Sequence, residues 1–182
     1  MGNERRINLK YFLITAAAVF LSFELHEFCH YLTGEYLGNR MAWTLNSGYP
    51  LSGSYLHPND YMIVSAAGPA FTIIQGLAFY FILRKKDNYY LYPFLFMPFF
   101  MRFSAMVIGF RHLNDEARIS ADLGIGSFTL PLIVSFLLFY FVFSISRQYH
   151  YRRRLQGFTF LFVLLFYSLI ILTDKYFHVR IL

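Results

Sequence analysis

The chain has 182 residues, of which 57% are hydrophobic, 21% aromatic and only 14% charged. That charged share is well below the roughly one-quarter usual for soluble domains, which argues against a water-soluble globule. The formal net charge of +6 does not point to nucleic acid, because the cations cluster in short stretches between apolar runs, where they set membrane orientation and meet anionic headgroups.

Five apolar runs, at residues 11–33, 61–83, 89–110, 127–145 and 157–173, approach or exceed the roughly 20 residues that cross a bilayer. A backbone in hydrocarbon must satisfy its own hydrogen bonds, so all five are predicted to be helices. The first is too long for a signal peptide and lacks a small-residue cleavage site, so it reads as a retained span. The last is the shortest and is expected near an edge of the bundle. Residues 1–182 thus read as one integral membrane domain, an all-α polytopic bundle of about five transmembrane helices. There is no internal repeat or flexible linker. The single cysteine, Cys29, rules out an internal disulfide.

The longest connection separates the first two spans. Met41, Trp43 and Leu45 alternate with Ala42, Thr44 and Asn46, and Leu51, Gly53 and Tyr55 alternate with Ser52 and Ser54. Ser47-Gly48-Tyr49-Pro50 lies between them and is rich in turn formers. The pattern predicts a small β-hairpin over residues 41–56. Trp43, Tyr49 and Tyr55 suit the membrane interface.

The N-terminal tail (Arg5, Arg6, Lys10), Arg84-Lys85-Lys86-Asp87 and the run from Arg147 to Arg154 fall on one face and carry ten cations. Arg40, Arg111, Arg118, Lys175 and Arg180 give the other face five. The positive-inside rule then places the N-terminus in the cytoplasm of a cell-membrane protein.

The chemistry concentrates at Phe23–Leu32, which reads FELHEFCHYL. His26-Glu27-Phe28-Cys29-His30 is an HExxH motif. Positions i and i+4 share a helix face, so both imidazoles can hold one metal ion, with Glu27 beside them as a proton acceptor. Ionisable groups inside a span are costly unless paired or functional, so the location strengthens the motif. A catalytic zinc takes three protein ligands and keeps a position open. The third ligand is sought among Glu24, His57, Asp60, His112, Asp115, Glu116 and Asp122. Depth in the membrane favours His112, Asp115 and Asp122, which follow a span emerging on the same face. Glu24 shares a helix side with Glu27 and is expected to orient a ligand or to lie buried. Arg102, inside a span, is expected to pair with an acid, Glu24 being one choice, or to line a wet cavity. Cys29 reads as packing, and His57, His150 and His178 as interfacial.

His26–His30 within a span, Ala67-Gly68-Pro69-Ala70 in the next and an acidic motif after a later one together resemble the site-2 protease family of intramembrane zinc metalloproteases. The likeness runs over about residues 23–126, including the hairpin. It implies Zn2+ as cofactor and a transmembrane protein segment as substrate. It also implies a site nearer the cytoplasm, in conflict with the charge rule. The segment Asn114–Gly126, NDEARISADLGIG, departs from the family's commonest acidic motif and is similar to a shorter, divergent branch. By that match Asp115 is the third ligand, framed by Ala117 and Leu123-Gly124-Ile125, with Asp122 as the rival, and Asn114 beside it is a candidate for contacting substrate or supporting the ligands. Where the family often has an asparagine for substrate or oxyanion, this chain has Thr72. Its hydroxyl is expected either to keep that role weakly or to pack against a neighbouring helix. Gly68-Pro69 implies close helix approach near the metal. The rival functions are a catalytically inactive metal-binding scaffold or chaperone and a transporter subunit, the latter disfavoured by the lack of inverted repeats.

Overall fold

The computed structural model describes residues 7–109, 113–177 and 179–182. Arg5, Arg6, Phe110, Arg111, His112 and His178, which carried expectations above, lie outside these residues. Five helices are long and apolar enough to cross a membrane. They are α1 (Leu9–Tyr36), α2 (Asp60–Lys85), α3 (Tyr92–Ile108, preceded by a 3-10 turn at Tyr89–Leu91), α5 (Thr129–Gln148) and α6 (Arg153–Phe177). Between α3 and α5 the chain forms a shorter helix, α4 (Asp115–Asp122). Asn114 caps it, its side-chain oxygen accepting the Ala117 N–H at 3.1 Å, as a short polar side chain does at a helix start. Gly124 ends it in the left-handed region, at φ 69°, where glycine pays no steric penalty.

The last span is a correction. It was expected to be the shortest, yet α6 runs for 25 residues, because the helix continues through its polar flanks at Arg153-Arg154 and Asp174-Lys175. It lies at the periphery of the bundle, with 17% of its most apolar window buried.

The hairpin is present between α1 and α2 but is shorter than expected and in a different register. Strand β1 is Met41–Thr44 and β2 is Ser47–Pro50, antiparallel, pairing Met41 with Pro50 and Thr44 with Ser47. The turn is Leu45-Asn46, and the segment read as the turn is the second strand. Pro50 tolerates this because the Leu51 N–H donates to Arg40 O at 2.8 Å. By alternation Arg40/Leu51 is then a hydrogen-bonded pair and Met41/Pro50 is not. The outer edge of β1 is covered. The Trp43 N–H donates to Leu182 O at 3.0 Å, and the Ile181 N–H to Trp43 O at 2.8 Å.

The bundle has an apolar half and a polar half. Towards the α1 N-terminus, Tyr11, Val19, Tyr92, Leu95, Leu138 and Ile145 form part of one buried cluster. Buried polar groups tie the helices there. Tyr11 Oη meets Thr159 Oγ1 at 2.5 Å and Tyr92 Oη meets Ser146 Oγ at 2.9 Å. Gln75 Nε2 donates to Ser22 Oγ at 2.7 Å and to Phe94 O at 3.0 Å, joining α1, α2 and α3. Beyond that tie, towards the α1 C-terminus, the interior turns polar.

Candidate metal centre

Helix α1 presents His26 and His30 one turn apart, both buried. Each imidazole is fixed through its Nδ1. His30 Nδ1 lies 2.6 Å from the Val64 carbonyl oxygen, which can only accept, so this nitrogen carries the proton. His26 Nδ1 lies 2.9 Å from Thr72 Oγ1. The Thr72 hydroxyl donates its own proton to Gly68 O at 3.0 Å, so here too Nδ1 is the donor. In the neutral rings both Nε2 atoms are therefore left with lone pairs, and they face each other at 3.2 Å.

Helix α4 adds a third acceptor. Asp115 Oδ2 lies 3.6 Å from His26 Nε2 and 3.4 Å from His30 Nε2. Among the described residues, His26, His30 and Asp115 form the one group of His, Cys, Asp and Glu side chains disposed to hold a metal ion. In a tetrahedral site with bonds of about 2.05 Å, neighbouring ligand atoms stand about 3.3 Å apart. The three observed separations bracket that value, so the donor set fits zinc in both chemistry and spacing.

The other Asp115 oxygen is held as well. Arg118 Nη2 donates to Asp115 Oδ1 at 2.9 Å, leaving Oδ2 for the histidines.

Glu27, His30 and Asp115 line a cavity of about 200 Å³, together with Gly48 of β2, Tyr55 and Arg118. Glu27 thus faces the same space as His30 and Asp115. Gly68 makes this packing possible, since a Cβ there would strike His30 Nε2 and lie 2.7 Å from His26 Nε2. The neighbouring Pro69 is buried inside α2.

Several expectations are corrected. Arg102 pairs with Glu116 of α4, not with Glu24, at 2.9 Å with both side chains buried. Its Nη2 also reaches to 3.4 Å from His26 Nε2. Glu24 is buried, its carboxylate oxygens have no hydrogen-bond partner among the described residues, and it orients no ligand. The Thr72 hydroxyl lies between Gly68 O and His26 Nδ1, where it supports His26. Asn114 is the α4 cap, with its Nδ2 also donating to Ala105 O, rather than a substrate contact. Asp122 ends α4 and stands apart from the histidines. Asp60 is engaged with Asn39 Nδ2 at 2.9 Å and the His57 N–H at 3.3 Å, where it braces the loop. The sequence reading missed Arg118, although its spacing of three from Asp115 on a helix was a usable signal. The Val64 carbonyl carried no sequence signal at all.

Compared with protein-family models, with curated proteins and with solved structures, the chain matches none.

Proposed function

We propose that this chain is an intramembrane zinc endopeptidase that cleaves transmembrane segments of other membrane proteins. One observation carries the reading. Three lone-pair atoms, from His26, His30 and Asp115, stand 3.2, 3.4 and 3.6 Å apart, and Glu27 opens on the cavity that His30 and Asp115 border. Bound zinc would supply a Lewis acid that polarises the scissile carbonyl and lowers the pKa of water towards neutrality. Glu27 takes a proton from the attacking water and returns it to the leaving amine. Arg118, on the cavity wall, holds Asp115 in place and offers a donor near the reacting carbonyl.

A substrate helix hides its peptide bonds in its own hydrogen-bond ladder and must unwind to be cut. The hairpin can receive the unwound stretch by strand addition. Since the β1 edge is occupied by residues 179–182, the edge of β2 is the open one. Gly48, at a non-hydrogen-bonded position, turns its N–H and C=O away from β1 and lines the cavity. A cell-membrane location with the N-terminus in the cytoplasm follows the charge distribution.

A second reading, a metal-binding scaffold without turnover, is favoured by one feature: the Thr72 hydroxyl is committed to His26 and Gly68 and gives no oxyanion donor. The Glu27→Gln variant separates the two. Purified protein and variant should both carry close to one zinc per chain. In membranes from expressing cells, mass spectrometry of new N-termini should find cleavages within transmembrane segments for the native chain alone. Absence of zinc would refute the metal centre. Bound zinc with no difference in cleavage would leave the scaffold.

A further inference from the structure

A second cavity, of about 450 Å³, lies between the last turns of α2 and α5. Arg84 there is 16 residues along α2 from Gly68, about 24 Å at 1.5 Å per residue, so this groove is remote from the metal centre. Arg84, Tyr140, Phe143, Ser144, Arg147 and Gln148 line it. No carboxylate does, and among the described residues neither arginine makes an ion pair.

The groove is braced. Gln148 Nε2 donates to Arg84 O at 3.1 Å, and Tyr149 Oη donates to Leu83 O at 2.8 Å. These bonds lock the end of α2 to the end of α5 and hold the two arginines across one opening. The Arg84 guanidinium also rests over the Tyr80 ring, 5.9 Å from its centroid. Below the opening, Ile133, Phe136, Tyr140 and Phe143 form an exposed apolar stripe along α5. Their spacing keeps them on one helix face, and Arg147, four residues on, closes the stripe with a cation.

We propose that this groove is a binding site for one anionic phospholipid. Its phosphate sits between Arg84 and Arg147, and an acyl chain runs down the α5 stripe. Two planar guanidiniums suit bidentate contacts to phosphate oxygens. The apolar stripe is what a soluble phosphate would leave unused, and it selects the lipid as the source. The site is independent of the metal reading.

The test uses the full chain, purified in neutral detergent and stripped of lipid, with native mass spectrometry to count bound phosphatidylglycerol. One molecule should persist on the native protein, while phosphatidylcholine should not. The double variant Arg84→Gln/Arg147→Gln should weaken binding by at least about tenfold. Arg153→Gln/Arg154→Gln, which removes equal charge from the same end of the bundle, should change it less than about twofold. Ser144→Asp keeps both arginines and places a carboxylate in the groove. It should reproduce the loss, so misfolding of the arginine variant would not leave the question open. Equal losses in the two arginine doubles would mean diffuse surface charge and overturn the site. Equal binding of phosphatidylcholine, or displacement by soluble glycerol phosphate at matched concentration, would overturn the lipid assignment.

Discussion

Replacing Thr72 by valine tests the support of the metal centre with almost no change of shape. The Thr72 hydroxyl has one proton, and it goes to Gly68 O at 3.0 Å. Towards His26 Nδ1, at 2.9 Å, the oxygen can only accept. Valine removes that acceptor and leaves a buried N–H without a partner, at a cost of about 1–3 kcal/mol. The ring can escape by moving its proton to Nε2, but that consumes the lone pair facing His30 and Asp115. Either way metal binding suffers. Loss of such a supporting bond to a metal-ligating histidine typically costs about 10–100-fold in affinity, or about 1.4–2.8 kcal/mol, in agreement with the first figure. The assay is zinc competition against a chromogenic chelator on purified native protein, Thr72→Val and Thr72→Ser, with thermal unfolding in excess chelator as the fold control. Serine keeps the hydroxyl and should bind within about threefold of native. If Thr72→Val binds within twofold of native while His26→Ala abolishes binding, the hydroxyl merely packs, and the tautomer argument built on it is wrong.

Gly68→Ala should abolish stoichiometric zinc, because the added methyl would overlap the ligand nitrogens; zinc content by elemental analysis reads this directly. Asp115→Asn should lower zinc affinity by at least about 100-fold while Asp122→Asn stays near native, and the same competition assay distinguishes them; the reverse order would move the third ligand to the end of α4. Glu116→Gln removes one partner of the buried pair with Arg102 and should destabilise the fold by about 3–5 kcal/mol. The double variant Arg102→Leu/Glu116→Leu should recover much of that loss in thermal unfolding, since it leaves no charge stranded.

The parts of this protein that were legible in its sequence are those set by local rules. Five apolar runs announced five helices, and HExxH inside one of them announced two buried histidines one turn apart with a glutamate beside them. What failed was set by tertiary contact. Ser47-Gly48-Tyr49-Pro50 looked like a turn because glycine and proline usually punctuate. Here Gly48 is small because β2 lies on α1, where a Cβ would come within 3.2 Å of His30 Cβ and of the Tyr31 backbone nitrogen. Helix α4 is only eight residues long and polar on much of its surface, so periodicity was silent, although Asn114 followed by two acids is a helix start by capping chemistry. The acid that partners Arg102 stayed open for the same reason, because without α4 there was no way to see Glu116 turned inward.

How the remaining polar groups are used makes the site distinctive. In a low-dielectric interior an unmatched polar atom is expensive; among the described residues Glu24 and the Nε atoms of Arg102 and Arg118 are buried without a hydrogen-bond partner, while the groups around the histidines are matched. His26 is matched by Thr72, His30 by Val64 O, Asp115 Oδ1 by Arg118, and Arg102 by Glu116. After these bonds the atoms still directed at one another are the two Nε2 lone pairs and Asp115 Oδ2. The Arg102 guanidinium approaches only His26, at 3.4 Å, and offers nothing to His30. Three acceptors facing inward repel one another, so folding alone gives no reason to gather them. A shared cation would give one, and α4 is fastened twice, once through Asn114 to the end of α3 and once through Glu116 to Arg102. Both fastenings flank Asp115, the residue whose reach to the histidines they set.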